Sequence, residues 1–279
     1  GRAFGSDDPA AVPIERHPDV KRMLLFMKSR AEAGRLLALF AAAKLDMAKR
    51  HADAATRADQ QALVDLLIPV VKGWWTGAGI AAADTGVQTH GGMGYIEETG
   101  AAQHLRDARI AAIYEGTNGI QALDLIGRKV GREAGRTVLA FAADMAKLTP
   151  KLAARHGEPD FAVIAARLDE ALAALVEASR WAADAWTRDA PAAAASAMPY
   201  LRLLGTVTGG WLLAQAALEA AQCLDDNAKG DGRYPPDFLR SKIVCARFFA
   251  DQDIVFARAL SRVVMDGGGA IAGTETSLV

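Results

Sequence analysis

One carboxylate, Glu115, stands in the run Ile113-Tyr114-Glu115-Gly116-Thr117-Asn118-Gly119-Ile120-Gln121, between a helix end and a turn. Gly116 tolerates positive φ and can stop the preceding helix. Thr117 or Asn118 can then cap the next one. A carboxylate on such a corner is held by rigid elements on both sides and projects into whatever lies between them, which suits a general base. Spacing alone leaves open, and rather favours, a helix-end glutamate in water. The second segment with chemical potential is Gln88-Thr89-His90-Gly91-Gly92. Adjacent glycines let a phosphate or sugar approach the backbone, and they also simply end helices. His90 has no acidic or nucleophilic partner at suggestive spacing, so it reads as a structural or cofactor-lining residue.

Other signals are decoys. Gly77-Ala78-Gly79-Ile80-Ala81-Ala82 satisfies the loose dinucleotide fingerprint, with Glu97 and Glu98 about twenty residues on. That fingerprint needs a preceding strand, and 62–75 reads as helix. The small residues there are expected to allow close helix contact instead. Arg106 and Asp107 read as an ion-paired helix surface. Trp74, Trp75, Trp181, Trp186 and Trp211 read as core or interface residues.

The elements that must position these residues are helices. Ala, Leu and charged residues abound and β-branched runs are scarce. An irregular lead-in over 6–18 precedes an amphipathic helix over 19–51. A polar turn at 52–57 leads to a second helix over about 59–85, where Pro69 predicts a kink unless it lies in a first turn. The glycine loop follows, then a helix over 101–113 and one running from Thr117 to about Gly131 or beyond. Composition loosens at 131–135, which sets the expected boundary between domains 1–133 and 134–279. The second domain should hold helices near 137–148, 161–187, 200–227 and 237–264. A breaker-rich turn at 229–236 and a frayed tail over 267–279 complete it. The predicted fold class is all-α, one helical bundle followed by another.

With 279 residues, 51% hydrophobic and a formal net charge of −1, the chain can bury one large or two ordinary cores. The charge balance argues against nucleic-acid or membrane-surface binding by bulk electrostatics. Two cysteines, Cys223 and Cys245, and no signal-like start predict reduced thiols and a cytoplasmic location. No His/Cys cluster has metal spacing. The apolar stretches are interrupted by charges, so no membrane-spanning helix is expected. The start at Gly1, without Met, suggests a fragment or processed product.

Together with Val87-Gln88-Thr89-His90-Gly91-Gly92-Met93-Gly94-Tyr95 and Leu105-Arg106-Asp107-Ala108-Arg109-Ile110, the Glu115 run resembles the C-terminal helical domain of the acyl-CoA dehydrogenases, over about residues 2–130. The remainder resembles the extra helical domain of a long-chain subgroup that includes the 3-methylthiopropionyl-CoA dehydrogenases. The resemblance implies FAD as cofactor and an acyl-CoA as substrate. It also implies electron-transfer flavoprotein as acceptor and a homodimer or larger homo-oligomer. It implies that Glu115 removes the α-proton of the thioester while a β-hydride passes to flavin N5, and that its backbone N–H helps polarise the thioester oxygen. A hydrated carboxylate is a feeble base toward such a carbon, so an apolar, dry surrounding is expected, with Tyr114 and Ile113 contributing. Tyr114 and Gly116 are implied at the substrate. Gln88, Thr89, His90, Gly91 and Gly92 are implied at the ADP half of an FAD held mainly by a neighbouring subunit. Thr117, Asn118 and Gly119 are implied at further flavin-nucleotide contacts; many relatives carry glutamine at the position of Gly119. Since the family's N-terminal helical and middle β-domains are not among these residues, an isolated chain is expected to be inactive. The alternatives are a non-catalytic oligomerisation or binding module, or a stress-response relative of the same shape.

Overall fold

The computed structural model describes residues 1–5, 7, 10–155, 157–227, 232 and 234–278. Lys229, Gly230, Asp231 and Arg233 of the breaker-rich turn lie outside the described residues. Among the described residues the only strand-like pairing is one antiparallel bridge, Arg2 to Ala11.

The first two helices form a long antiparallel pair. Helix α1 (Pro18–Arg50) opens with Pro at its first turn and closes on Lys49 and Arg50, which suits the helix dipole. Asp53 caps α2 (Ala54–Thr89) by accepting the Thr56 N–H at 2.7 Å. The two pack closely because Gly34 has no side chain: a Cβ there would sit 1.9 Å from the Trp75 indole. Pro69 is buried inside α2, and the helix runs on through it. By length and hydropathy α2 could cross a membrane, contrary to the sequence expectation. Its packing on α1, α4, α5 and α10 makes it a core helix here.

Short helices α3 (Gly92–Tyr95), α4 (Ala101–Ala111) and α5 (Asn118–Leu123) follow, and α5 widens into a π-helical segment at Asp124–Gly131. Trp186 lies over this segment; Cβ atoms at Gly127 and Gly131 would fall 2.6 and 2.3 Å from its side chain. Ala134 and Gly135 then turn the chain with positive φ.

Helices α6 (Arg136–Ala146), α7 (Thr149–Ala153), α8 (Pro159–Arg188), α9 (Ala190–Ala195) and α10 (Ala197–Asn227) come next. The last are α11 (Pro236–Gln252), α12 (Ala257–Asp266) and α13 (Gly268–Ala272). Helix α10 is apolar around most of its girth from Leu201 to Ala214 and touches α1, α2, α5, α8, α11 and α12, as expected of a helix buried on all sides. Trp74 of α2 nests on Gly205 and Gly209 of α10. Trp211 meets Phe40 and Phe141 edge-on at 5.3 and 5.6 Å, contacts worth about 0.5–1.5 kcal/mol each beyond area burial. One apolar core therefore runs unbroken from Leu37 and Val70 through Val130 to Leu175, Leu204 and Phe249. All five tryptophans lie in it or against it.

Four expectations are corrected. The region 237–264 is broken at Asp253, whose side chain is drawn inward to Arg30 of α1. The region 267–272 is not frayed: Gly268 is buried against α9, where a Cβ would meet Ala192 O at 2.4 Å. Gly77 and Gly79 mediate no close helix contact, since a Cβ at either meets nothing within 4 Å. The dinucleotide decoy is helical throughout. Finally, α2 runs four residues past its expected end, because the break waits for Gly91.

Candidate active site and cofactor-facing surface

The corner bearing Glu115 is tighter than its sequence suggests. After α4, Ile113 N and Tyr114 N both donate to Ile110 O, at 2.9 and 3.1 Å. Then two successive residues take left-handed backbone, Glu115 at φ 51° and Gly116 at φ 89°. For Gly116 that costs nothing; for a glutamate it costs about 1–2 kcal/mol. Asn118 N closes the corner on Ala112 O at 3.0 Å. The Thr117 hydroxyl caps α5 by accepting Ile120 N–H at 3.3 Å, one of the two caps the sequence allowed.

What holds the corner from behind is a residue that local sequence reading missed. Lys72, half-buried on α2, donates its ammonium to Gly116 O at 2.6 Å and to Asn118 Oδ1 at 3.1 Å. The Asn118 amide group in turn donates to Gly73 O at 2.9 Å and Thr76 Oγ1 at 3.0 Å. Both N–H donors of the Asn118 amide are thus committed to α2. The Thr76 hydroxyl donates to Lys72 O at 2.7 Å. No spacing rule links position 72 to 116; the only local hint is a lysine on an otherwise apolar stretch of helix.

The carboxylate of Glu115 faces solvent, and among the described residues no hydrogen bond or ion pair is recorded for it. It borders none of the principal cavities. The dry pocket expected from Tyr114 and Ile113 is not formed among the described residues, where Ile113, Tyr114 and Glu115 are all exposed. Ile110, Ile113, Tyr114 and Ile120, close to Glu115 in sequence, are each 46–56% exposed.

The glycine segment lies elsewhere on the same helix. Gln88 is exposed in the last turn of α2. Gly91 takes φ 61°, ψ −145°, a conformation that essentially only glycine adopts. Added Cβ atoms at Gly91 or Gly92 meet nothing within 4 Å, so this backbone is open to an approaching group. Thr89 and His90 are less available. The Thr89 hydroxyl donates to Thr85 O at 2.8 Å and contacts Met23 of α1. His90 Nδ1 lies 2.7 Å from Gly86 O. Gly94 is buried, and a Cβ there would strike Val87 O at 2.1 Å. Gly119 is half-buried, with only ordinary room beside Thr117. Arg106 is ion-paired with Glu97 at 3.4 Å, a surface role. Sixteen residues of α2 separate Lys72 from Gln88, about 24 Å at 1.5 Å per residue. The corner and the glycine segment are not brought together. No group of side chains able to hold a metal is found among the described residues.

Residues 6–131 match the family model described as acyl-CoA dehydrogenase, C-terminal domain, and residues 137–274 match acetyl-CoA dehydrogenase C-terminal like. The chain is 43% identical over 261 residues to 3-methylmercaptopropionyl-CoA dehydrogenase of Ruegeria pomeroyi, covering 94% of this chain and 43% of that protein. It is 33% identical over 244 residues to the broad-specificity linear acyl-CoA dehydrogenase FadE5 of Mycobacterium tuberculosis, covering 86% and 39%. In fold it is similar to Caenorhabditis elegans ACDH-11 in complex with C11-CoA, with TM-score 0.70 at 20% identity over 94% of this chain and 41% of that one. It is also similar to a Bacillus anthracis acyl-CoA dehydrogenase complexed with FAD, with TM-score 0.67 at 17% identity over 99% and 46%. The chain spans less than half the length of these relatives. The all-α architecture, the capped Glu-Gly-Thr corner and both matched segments place this chain in the acyl-CoA dehydrogenase family, as its C-terminal helical portion.

Proposed function

We propose that this chain carries the base-bearing half of an FAD-dependent acyl-CoA dehydrogenase. The observation that carries the reading is Glu115: a carboxylate with no recorded partner, held in left-handed backbone and clamped from behind, with exposed apolar side chains at neighbouring positions. Those side chains lose water only when another surface closes over them. An acyl-CoA and the remaining domains of the enzyme are the surface we propose. Within that enclosure the Glu115 carboxylate takes the α-proton of the thioester. The Glu115 N–H donates toward the thioester oxygen, a contact worth a few kcal/mol where charge develops. Tyr114 and Gly116 border the substrate.

Bound FAD supplies the acceptor for the β-hydride. The fit to such a cofactor is good at Gln88, Gly91 and Gly92, where side chain and backbone are open. It is weaker at Thr89, whose hydroxyl is engaged within the chain, and at His90, whose Nδ1 lies against Gly86 O. At Thr117 and Gly119 the backbone N–H groups can serve such a contact, whereas the Asn118 N–H is already bonded to Ala112 O. The distance along α2 between the two clusters supports a glycine segment that serves the cofactor of a neighbouring subunit, hence at least a homodimer. Electron-transfer flavoprotein as acceptor and the division into 1–133 and 134–279 belong to the same proposal. So does a 3-methylthiopropionyl or fatty acyl group as substrate.

The test is Glu115→Gln in the complete enzyme that carries this chain. Acyl-CoA added without oxygen should no longer bleach the flavin absorbance, while FAD content stays that of the parent. Flavin reduction at close to the parental rate would refute the reading.

A further inference from the structure

We infer that Lys72 is a positioning residue for Glu115, fixing the direction of both its carboxylate and its N–H through the Gly116 carbonyl; this rests on the function proposed above. Backbone geometry comes first. A glutamate at φ 51° next to a glycine at φ 89° relaxes to right-handed backbone unless its surroundings hold it. The Asn118 N–H to Ala112 O bond closes the corner at its ends and engages neither the Glu115 nor the Gly116 carbonyl. The Lys72 ammonium adds the hold on Gly116 O, at 2.6 Å. Asn118, bound to Lys72, Gly73 and Thr76 together, anchors the other side.

The chemistry of the clamp points the same way. Lys72 is half-buried, and among the described residues no carboxylate pairs with it; its recorded partners are two neutral oxygens. The ammonium gains no ion pair from this position, so charge pairing gives no reason for lysine here. Orientation does: a cation reaching from α2 holds the 116–117 peptide, whose carbonyl lies one residue beyond the base. Sub-ångström placement of a reacting group is worth large factors in rate, and a displacement of about 1 Å costs roughly a hundredfold.

The experiment compares Lys72→Met, Lys72→Cys alkylated with 2-bromoethylamine, Thr76→Val and Glu115→Gln in the complete flavoenzyme. The readouts are the anaerobic rate of flavin reduction by an acyl-CoA, the apparent affinity for that acyl-CoA, FAD content and thermal midpoint. Lys72→Met should slow reduction about a hundredfold while affinity and FAD content hold. Alkylation of the cysteine restores an ammonium at nearly the same reach and should recover most of the rate. Thr76→Val removes one Asn118 bond and the hydroxyl's bond to Lys72 O, leaves the Lys72 ammonium in place and should slow the same step about tenfold; it serves as the readout if Lys72→Met fails to fold. With Glu115→Gln inert, an unchanged rate in both clamp variants overturns the inference and leaves the function standing. So does a loss that tracks FAD content and is not restored by the ammonium. If Glu115→Gln itself reduces flavin normally, the functional reading falls, and this inference with it.

Discussion

At Glu115 the backbone stores strain that stability alone would not retain. The left-handed φ of 51° is one that glycine accepts freely and glutamate does not. Glu115→Gly should therefore raise stability by about 0.5–1 kcal/mol, the left-handed penalty less the entropy that glycine loses on folding. It should also remove the proposed base. A thermal midpoint that falls would show that the carboxylate contributes contacts not seen here. Gly116 and Thr117 were readable in advance, because turn and cap preferences act within three or four residues. The strain at Glu115 was not, since nothing in its residue type asks for positive φ. Lys72 was hidden for a related reason: its partner lies 44 residues away.

Among the helices, glycines divide into those that another element needs and those that none does. Gly131 is covered by Trp186, with a Cβ placed 2.3 Å from the indole. Gly131→Ala should cost about 1–3 kcal/mol through overpacking. Gly79 lies mid-helix with open space around its missing Cβ. Gly79→Ala should instead add about 0.5–1 kcal/mol by helix propensity and a less flexible unfolded chain. Denaturant midpoints for the pair decide the matter, and the idea fails if the two shift in the same direction. Period and composition gave the long helices and most of their ends to within a few residues. They missed the short helices α3, α7 and α9, the second of which follows α6 directly and the third of which reads as an Ala-rich link with Pro191. They also missed the break at Asp253 and the seating of α13, because both depend on which distant helix arrives alongside.

Across the whole molecule, two ion pairs tie α1 to the C-terminal helices, and their pH responses differ in sign. Asp253 bonds Arg30, yet burial dominates and pushes its carboxyl up to about 6 against the pull of Arg30. Its folded form binds the proton more tightly than the unfolded chain, where the ordinary value is 3.8. Its contribution to stability is therefore complete below about pH 4 and is lost as pH rises through 6. Burial also works to raise Glu32, but hydrogen bonds from Lys28 and Lys242 together hold its carboxyl below the ordinary value of 4.5. Its contribution is lost only as pH falls below that range. Between pH 5 and 7 the Asp253 slope should stand alone of the two, and Asp253→Asn should flatten it in denaturant titrations. A slope that survives the substitution would locate the effect elsewhere. The same packing explains why a chain that reads as two bundles has one continuous core: α10 is buried against helices from both halves.

The order of residues by itself determined the helices, the Gly-Thr corner, the glycine break and the family, all of which are written in patterns a few residues long. Only the tertiary structure decided that Lys72 and Asn118 lock that corner, that Thr89 turns inward, and that Glu115 stands at an open surface. The physical reason is reach. Propensity and capping act between neighbours along the chain, whereas desolvation and clamping depend on which surfaces meet, and among the described residues Glu115 is left exposed.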